Sequence, residues 1–214
     1  MTVTISRLYD NYSVAEKTVN DLEAAGLRSD DISIVASNAD NWYKPGSSGR
    51  KMTNFKDKDH DGTDDRVEGA EAGAGIGAVV GGAAGLLTGL GILAIPGVGP
   101  VVAAGWLAAT AAGAVAGGAT GGIVGALTQA GISKEEAPIY AEGIRRGGAM
   151  VTARVPDAER SRFETILNRS AVSVTERGDA YRRSGWTGFD EKANPYNLDD
   201  VRKERTTYQS PGIR

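Results

Sequence analysis

Between Glu71 and Lys134 the chain carries no charged residue, although charged residues make up 24% of the whole. Inside that stretch Gly73, Gly77, Gly81, Gly85 and Gly89 recur at every fourth position. Gly105, Gly113, Gly117, Gly121 and Gly125 repeat the pattern, with Ala109 filling the gap. On a helix a period of four gathers such residues into one slowly drifting stripe. A stripe without side chains lets a second backbone come very close. It also weakens the helix: the glycines from Gly73 to Gly91 together cost about 8 kcal/mol, at about 1 kcal/mol each. Close helix–helix packing is the natural offset. Ile95–Pro100 (IPGVGP) places two prolines and two glycines in the middle, enough to break a helix. The expectation is an antiparallel glycine-zipper helical hairpin over 69–130, with helices of about 69–95 and 101–130.

At 1.5 Å per residue each rod is roughly 40 Å long, against a hydrocarbon core of about 30 Å. Lys56, Lys58 and Arg66 precede the stretch, and Lys134, Arg145 and Arg146 follow it. Basic flanks on both sides fit a hairpin whose two ends stay cytoplasmic. The sequence therefore predicts an inner (cytoplasmic) membrane protein, both termini cytoplasmic, in contact with membrane lipid and with copies of itself. Strong apolar residues are few in the second half: Val101, Val102, Leu107, Val115, Ile123, Val124 and Leu127. A soluble cytoplasmic protein forming oligomers or filaments is the alternative.

The flanks read differently. Residues 1–37 give a strand at Val3–Leu8, an N-cap at Asp10 or Asn11, a helix over Ser13–Ala25 closed by Gly26, and a strand at Asp31–Ser37. Residues 131–177 give a capping box from Ser133 to Glu136 and a helix running to Arg146. A strand at Ala149–Val155, a helix over Pro156–Asn168 and a strand at Ala171–Glu176 follow. Glu135, Glu136 and Glu142 read as helix-start and solvent-face charges. Arg145, Arg146, Arg154, Arg160 and Arg162 read as a solvated basic face, with anionic lipid as the other use. The fold class is α+β: a ferredoxin-like split β-α-β sheet with helices on one face and the hairpin inserted between its halves. Residues 178–214 are a polar C-terminal tail whose aromatics, Tyr181, Trp186, Phe189, Tyr196 and Tyr208, are spaced to pack on the body.

The connecting loop, 38–68, ends in an acidic segment, 57–68, with the spacing of an EF-hand loop. Asp57, Asp59, Asp61, Asp65 and Glu68 supply carboxylates at loop positions 1, 3, 5, 9 and 12. Gly62 makes the turn and Thr63 offers its carbonyl. Calcium needs six to eight oxygens, which this spacing delivers. The segment predicts a loose Ca²⁺ site and, as a third reading, a calcium-binding regulatory module. A solvated acidic linker is the plainer use of the same residues. His60 points outward in such a loop.

Other functions find no material. The chain has no cysteine and one histidine, which leaves nothing for a thiol nucleophile and almost nothing for a hydrolytic triad. GAGIG at 73–77 follows an acidic segment rather than a strand, and no acidic residue stands twenty positions on to hold a ribose. A net charge of −3 argues against nucleic acid as a partner. No small-molecule substrate is evident. The N-terminus, MTVTISRLYDNY, lacks the basic and apolar regions of a signal peptide.

The stretch GISKEEAPIYAEGIRRGGAMVTARV (131–155), followed by ERSRFETILNRSAVSV (159–174), resembles the heat-induced general stress protein family of bacteria. The resemblance rests on Gly131, Ala137, Tyr140, Gly147 and Gly148 and on the N-terminal β-α-β, and covers about 1–37 and 69–176. It implies a stress-associated, non-enzymatic role and carries no catalytic residues. The function expected is that of a stress-associated protein that enters or adjoins the membrane and self-assembles through the hairpin.

Overall fold

Alternation in the first residues, TVTISRLY, builds strand β1 (Thr2–Tyr9), with Ile5 and Tyr9 turned to one face of a sheet and Leu8 to the other. The computed structural model describes residues 1–44, 90–110 and 122–208. The Asn11 side chain caps helix α1 (Tyr12–Ala24), its Oδ1 accepting from the Val14 N–H at 3.1 Å. Gly26, at φ +92°, ends that helix in a left-handed turn that a Cβ would strain. Strand β2 (Ile32–Ser37) follows, buried along its whole length. The chain returns to the sheet as a β-hairpin, β3 (Gly91–Ile95) and β4 (Gly99–Gly105). Helices α2 (Gly122–Gln129) and α3 (Ala137–Arg145) lead into β5 (Ala149–Pro156). Helices α4 (Arg160–Asn168), α5 (Val174–Arg183) and α6 (Leu198–Tyr208) complete the order.

Among the described residues the fold is α+β with a five-stranded antiparallel sheet, ordered β1-β5-β2-β4-β3. The sheet has apolar layers on both faces. On one, Val19 and Leu22 of α1 and Phe163 and Leu167 of α4 cover Ile5, Ile34 and Val151. On the other, Leu107, Ile123, Leu127, Tyr140 and Ile144 cover Val35, Val101 and Met150. The expectation of helices on one face only is therefore corrected. Double coverage buries β2 along its whole length, Ser33 and Ser37 included.

Three further corrections concern the elements themselves. The expected helices of 69–95 and 101–130 do not run as drawn, since 91–95 and 99–105 are strands joined at the IPGVGP turn. Gly97 at φ +73° and Gly99 at φ +97° take left-handed geometry there, and the Val98 N–H reaches the Ile95 carbonyl at 3.0 Å. The apolar runs on either side bury better as strands because β4 pairs with β2, from Ser33 opposite Gly105 to Ser37 opposite Val101. Pro100, which has no N–H, sits where only its carbonyl is needed, accepting from the Asn38 N–H at 2.8 Å. Gly105, at φ +87°, ends β4, and residues 106–110 are helical. The expected strand at Ala171–Glu176 shrinks to one bridge, Leu8 to Val172, before α5 begins. Ser173 caps that helix, its Oγ accepting from the Glu176 N–H at 3.3 Å. The helix expected from Ser133 starts at Ala137, one turn after the Ser133–Glu136 pair has formed.

Candidate functional site: a buried charge junction

The C-terminal segment crosses the body as a strap, and its seats are mostly glycines. A Cβ on Gly97 would lie 2.6 Å from the Glu191 Cα, and one on Gly99 would lie 2.6 Å from the Pro195 Cβ. A Cβ on Gly147 would run into the Val201 side chain, and one on Gly122 into the Glu191 carboxylate. That carboxylate stands at the first residue of α2, where a helix favours negative charge. Phe189 packs against the apolar layer that holds Val101 and Leu127.

Beneath the strap lies a cluster of charges. Glu142 on α3 is fully buried. Its Oε1 accepts from Arg146 Nε at 2.5 Å, and Arg145 Nη1 stands 3.6 Å from its Oε2. Arg146 Nη1 also donates to Glu204 of α6 at 2.7 Å. The Arg146 guanidinium lies 4.1 Å from the Tyr181 ring centre and 5.6 Å from that of Tyr196. Tyr181 meets Trp186 and Tyr208 edge-on at 5.9 Å and 5.7 Å. Around it, Arg177 Nη2 donates to Asp10 at 2.6 Å and Arg205 Nη1 to Asp40 at 3.2 Å. Burial penalises the Arg146 cation, but hydrogen bonds to Glu204 and Glu142 outweigh it and push its pKa above the usual arginine range. Burial likewise pushes the Tyr181 phenol up, so it stays neutral. A cavity of about 30 Å³ remains between these groups, room for one water molecule.

These charges face one another rather than a ligand, and the arrangement fastens α6 to α3. Sequence reasoning placed Glu142 on a solvent face and read Arg145 and Arg146 as a solvated basic surface; both are corrected. The arginine side chains are 14% and 10% exposed. The missed signal was the spacing Glu142–Arg146, which on any helix brings the two side chains together. Arg154 lies 3.8 Å over the Trp106 ring, while Arg160 and Arg162 form exposed pairs with Glu164 and Glu159. A second concavity, an open groove of about 550 Å³, runs beside β1 and is lined by Thr4, Ser6, Arg7, Tyr140 and Glu164.

The expected calcium ligands, Asp57, Asp59, Asp61, Thr63, Asp65 and Glu68, lie outside the described residues, as do Gly73, Gly77, Gly81, Gly85, Gly89, Gly113, Gly117 and Gly121. Gly125 lies half-buried on α2. Among the described residues no helix is long and apolar enough to cross a membrane, and no cluster of acidic or histidine side chains could hold a metal ion. Comparison with family models, curated proteins and solved structures finds no match.

Proposed function

We propose that the chain is a non-enzymatic, stress-associated scaffold that self-assembles through its charge-free region, Ala72–Ser133. One observation carries the reading: β3 and β4, both drawn from that region, form one end of the sheet with β3 outermost, and α2, from the same region, packs in the apolar layer over β4. An end without charges makes no ionic contacts of its own and gains most by apolar and backbone contact with another surface. The body that carries it is a ferredoxin-like split β-α-β unit. In support, β5 lies between β1 and β2, and the Val172 bridge stands where a fourth strand would run. The spacing of the glycines from Gly73 to Gly89 supports the same reading.

Membrane association is the second reading, favoured by the long charge-free run between basic flanks. Sedimentation velocity of the full chain, over a hundredfold range of concentration, tests the first. The expected result is a species at a multiple of 22.2 kDa, and a monomer throughout sinks it. Carbonate washing of native membranes tests the second, which predicts retention in the pellet.

A further inference from the structure

We infer that the open edge of β3 is the self-association site, where a second copy of this chain pairs antiparallel about a two-fold axis through Leu93. The inference rests on the self-assembly proposed above and says where it happens.

Register fixes which backbone groups are free. Pro100 turns its carbonyl to Asn38, so Pro100, Val102 and Ala104 direct their polar groups toward β2. Their neighbours Gly99, Val101 and Ala103 direct theirs toward β3, where they meet Ile95, Leu93 and Gly91. Ile92 and Ala94 are left pointing away from the sheet. Among the described residues no strand pairs with that edge. Ile92 is 41% exposed, Ala94 is exposed, and Leu93 is half-buried.

The other edge of the same sheet is guarded. On β1 the outward carbonyl of Ser6 accepts from Arg7 Nη1 and from the Tyr140 hydroxyl, each at 2.8 Å. The Leu8 carbonyl accepts from the Val172 N–H at 2.7 Å. Arg160 and Glu164 add charge along that groove. Charges of this kind discourage strand addition. β3 (Gly91–Ile95, GILAI) has none, nor does any residue from Leu90 to Val102.

A second copy is the occupant because this edge complements itself. With Leu93 on the two-fold axis, Ile92 faces Ala94 of the other copy and Ala94 faces Ile92. Each of the two pairs exchanges two N–H to carbonyl bonds, so all four outward N–H groups and all four outward carbonyls are satisfied. The exposed Ile92 side chain is covered, and no charge on either strand is stranded without a partner.

The chain's lack of cysteine permits a direct test in the full-length protein. Leu93→Cys places two thiols on the axis, where the Cα atoms of a non-hydrogen-bonded pair stand about 4.5 Å apart, within disulfide range. Ile92→Cys places them more than about 7 Å apart, beyond it. Mild oxidation should cross-link the first and not the second. Ala94→Pro removes one outward N–H and leaves the bonds to β4 intact. It should weaken association at least tenfold by sedimentation, with unchanged far-ultraviolet circular dichroism; Ile92→Lys should do the same. Should Ala94→Pro misfold, the cysteine pair still decides. An assembled wild type that Ala94→Pro and Ile92→Lys leave intact, with no Leu93→Cys dimer, overturns the edge and leaves self-assembly standing. A monomeric wild type overturns both.

Discussion

The two ends of the sheet are built by different physical means. At the β1 end, charge and phenol groups do the joining: Arg177 to Asp10, Arg146 to Glu142 and Glu204, and Tyr140 to the Ser6 carbonyl. At the β3 end there is no charge of local origin. There, close backbone approach does the joining, at Gly97, Gly99, Gly105 and Gly122, and the Glu191 carboxylate is brought by the strap. An end tied by ion pairs is specific and sealed. An end tied by glycine contact stays apolar, and among the described residues no strand pairs with its outer edge. The contrast is the ground for the self-association proposed at β3.

The largest expected effect tests the sealed end. Arg146→Ala leaves Glu142 buried without its main partner and should cost about 3–5 kcal/mol in urea denaturation. Glu142→Leu combined with Arg146→Met removes both charges and should be milder than the single change. If the two cost the same, the junction is held by packing and not by charge, and the contrast fails.

Alkaline pH probes the same end by a different route. Tyr9, Tyr140 and Tyr181 are almost fully buried, and burial raises the pKa of each. A raised folded pKa means the folded state holds its proton more tightly than the unfolded chain. The stability this brings is whole below the ordinary tyrosine value of about 10 and is lost as pH rises above it. By pH 11 the loss should reach about 1.4 kcal/mol per tyrosine. Amide exchange should show the β1 end opening before the β3 end.

At the glycine end, Gly105→Ala forces a Cβ at φ +87° against the Ile32 carbonyl and the Ser33 hydroxyl. Strain and overpacking should together cost about 3 kcal/mol, seen as a lower melting temperature. A neutral result would mean the β4 terminus yields, and that glycine contact is not what fixes this end. The smallest effect belongs to Lys17→Ala. It removes an exposed pair with Asp21 at 2.8 Å and should change stability by less than about 0.5 kcal/mol. That pair calibrates how little a charge contributes when it stays in water.

The elements legible in the sequence were those whose signals agree. α1 combines a helical burial period with a cap and a stop, at Asn11 and Gly26, and β1 alternates along its first residues. β3 and β4 were misread because a glycine at every fourth position imitates helical spacing, and short apolar runs fit a strand or a buried helix equally. Their choice is tertiary: β4 is a strand because β2 offers it an edge. Ala171–Glu176, expected as a strand, forms one bridge and then a helix. The stronger signal, Ser173 with Glu176 three residues on, is the same capping pattern recognised at Ser133. Of the junction, the Glu142–Arg146 spacing was in plain view, but Glu204 and Tyr181 join it from more than thirty residues away. No local pattern announces that a charge is sealed by a later segment.

The Tyr43 hydroxyl donates to the Leu90 carbonyl at 2.9 Å, and Asn38 holds Tyr43 from the other side, through its N–H at 3.0 Å and its carbonyl at 3.1 Å. Tyr43 and Leu90, far apart in sequence, are therefore buttoned together. The entry to β3 is thus latched by a residue that follows β2: a Tyr43→Phe change would release the Leu90 carbonyl while Asn38 keeps hold of the Tyr43 backbone.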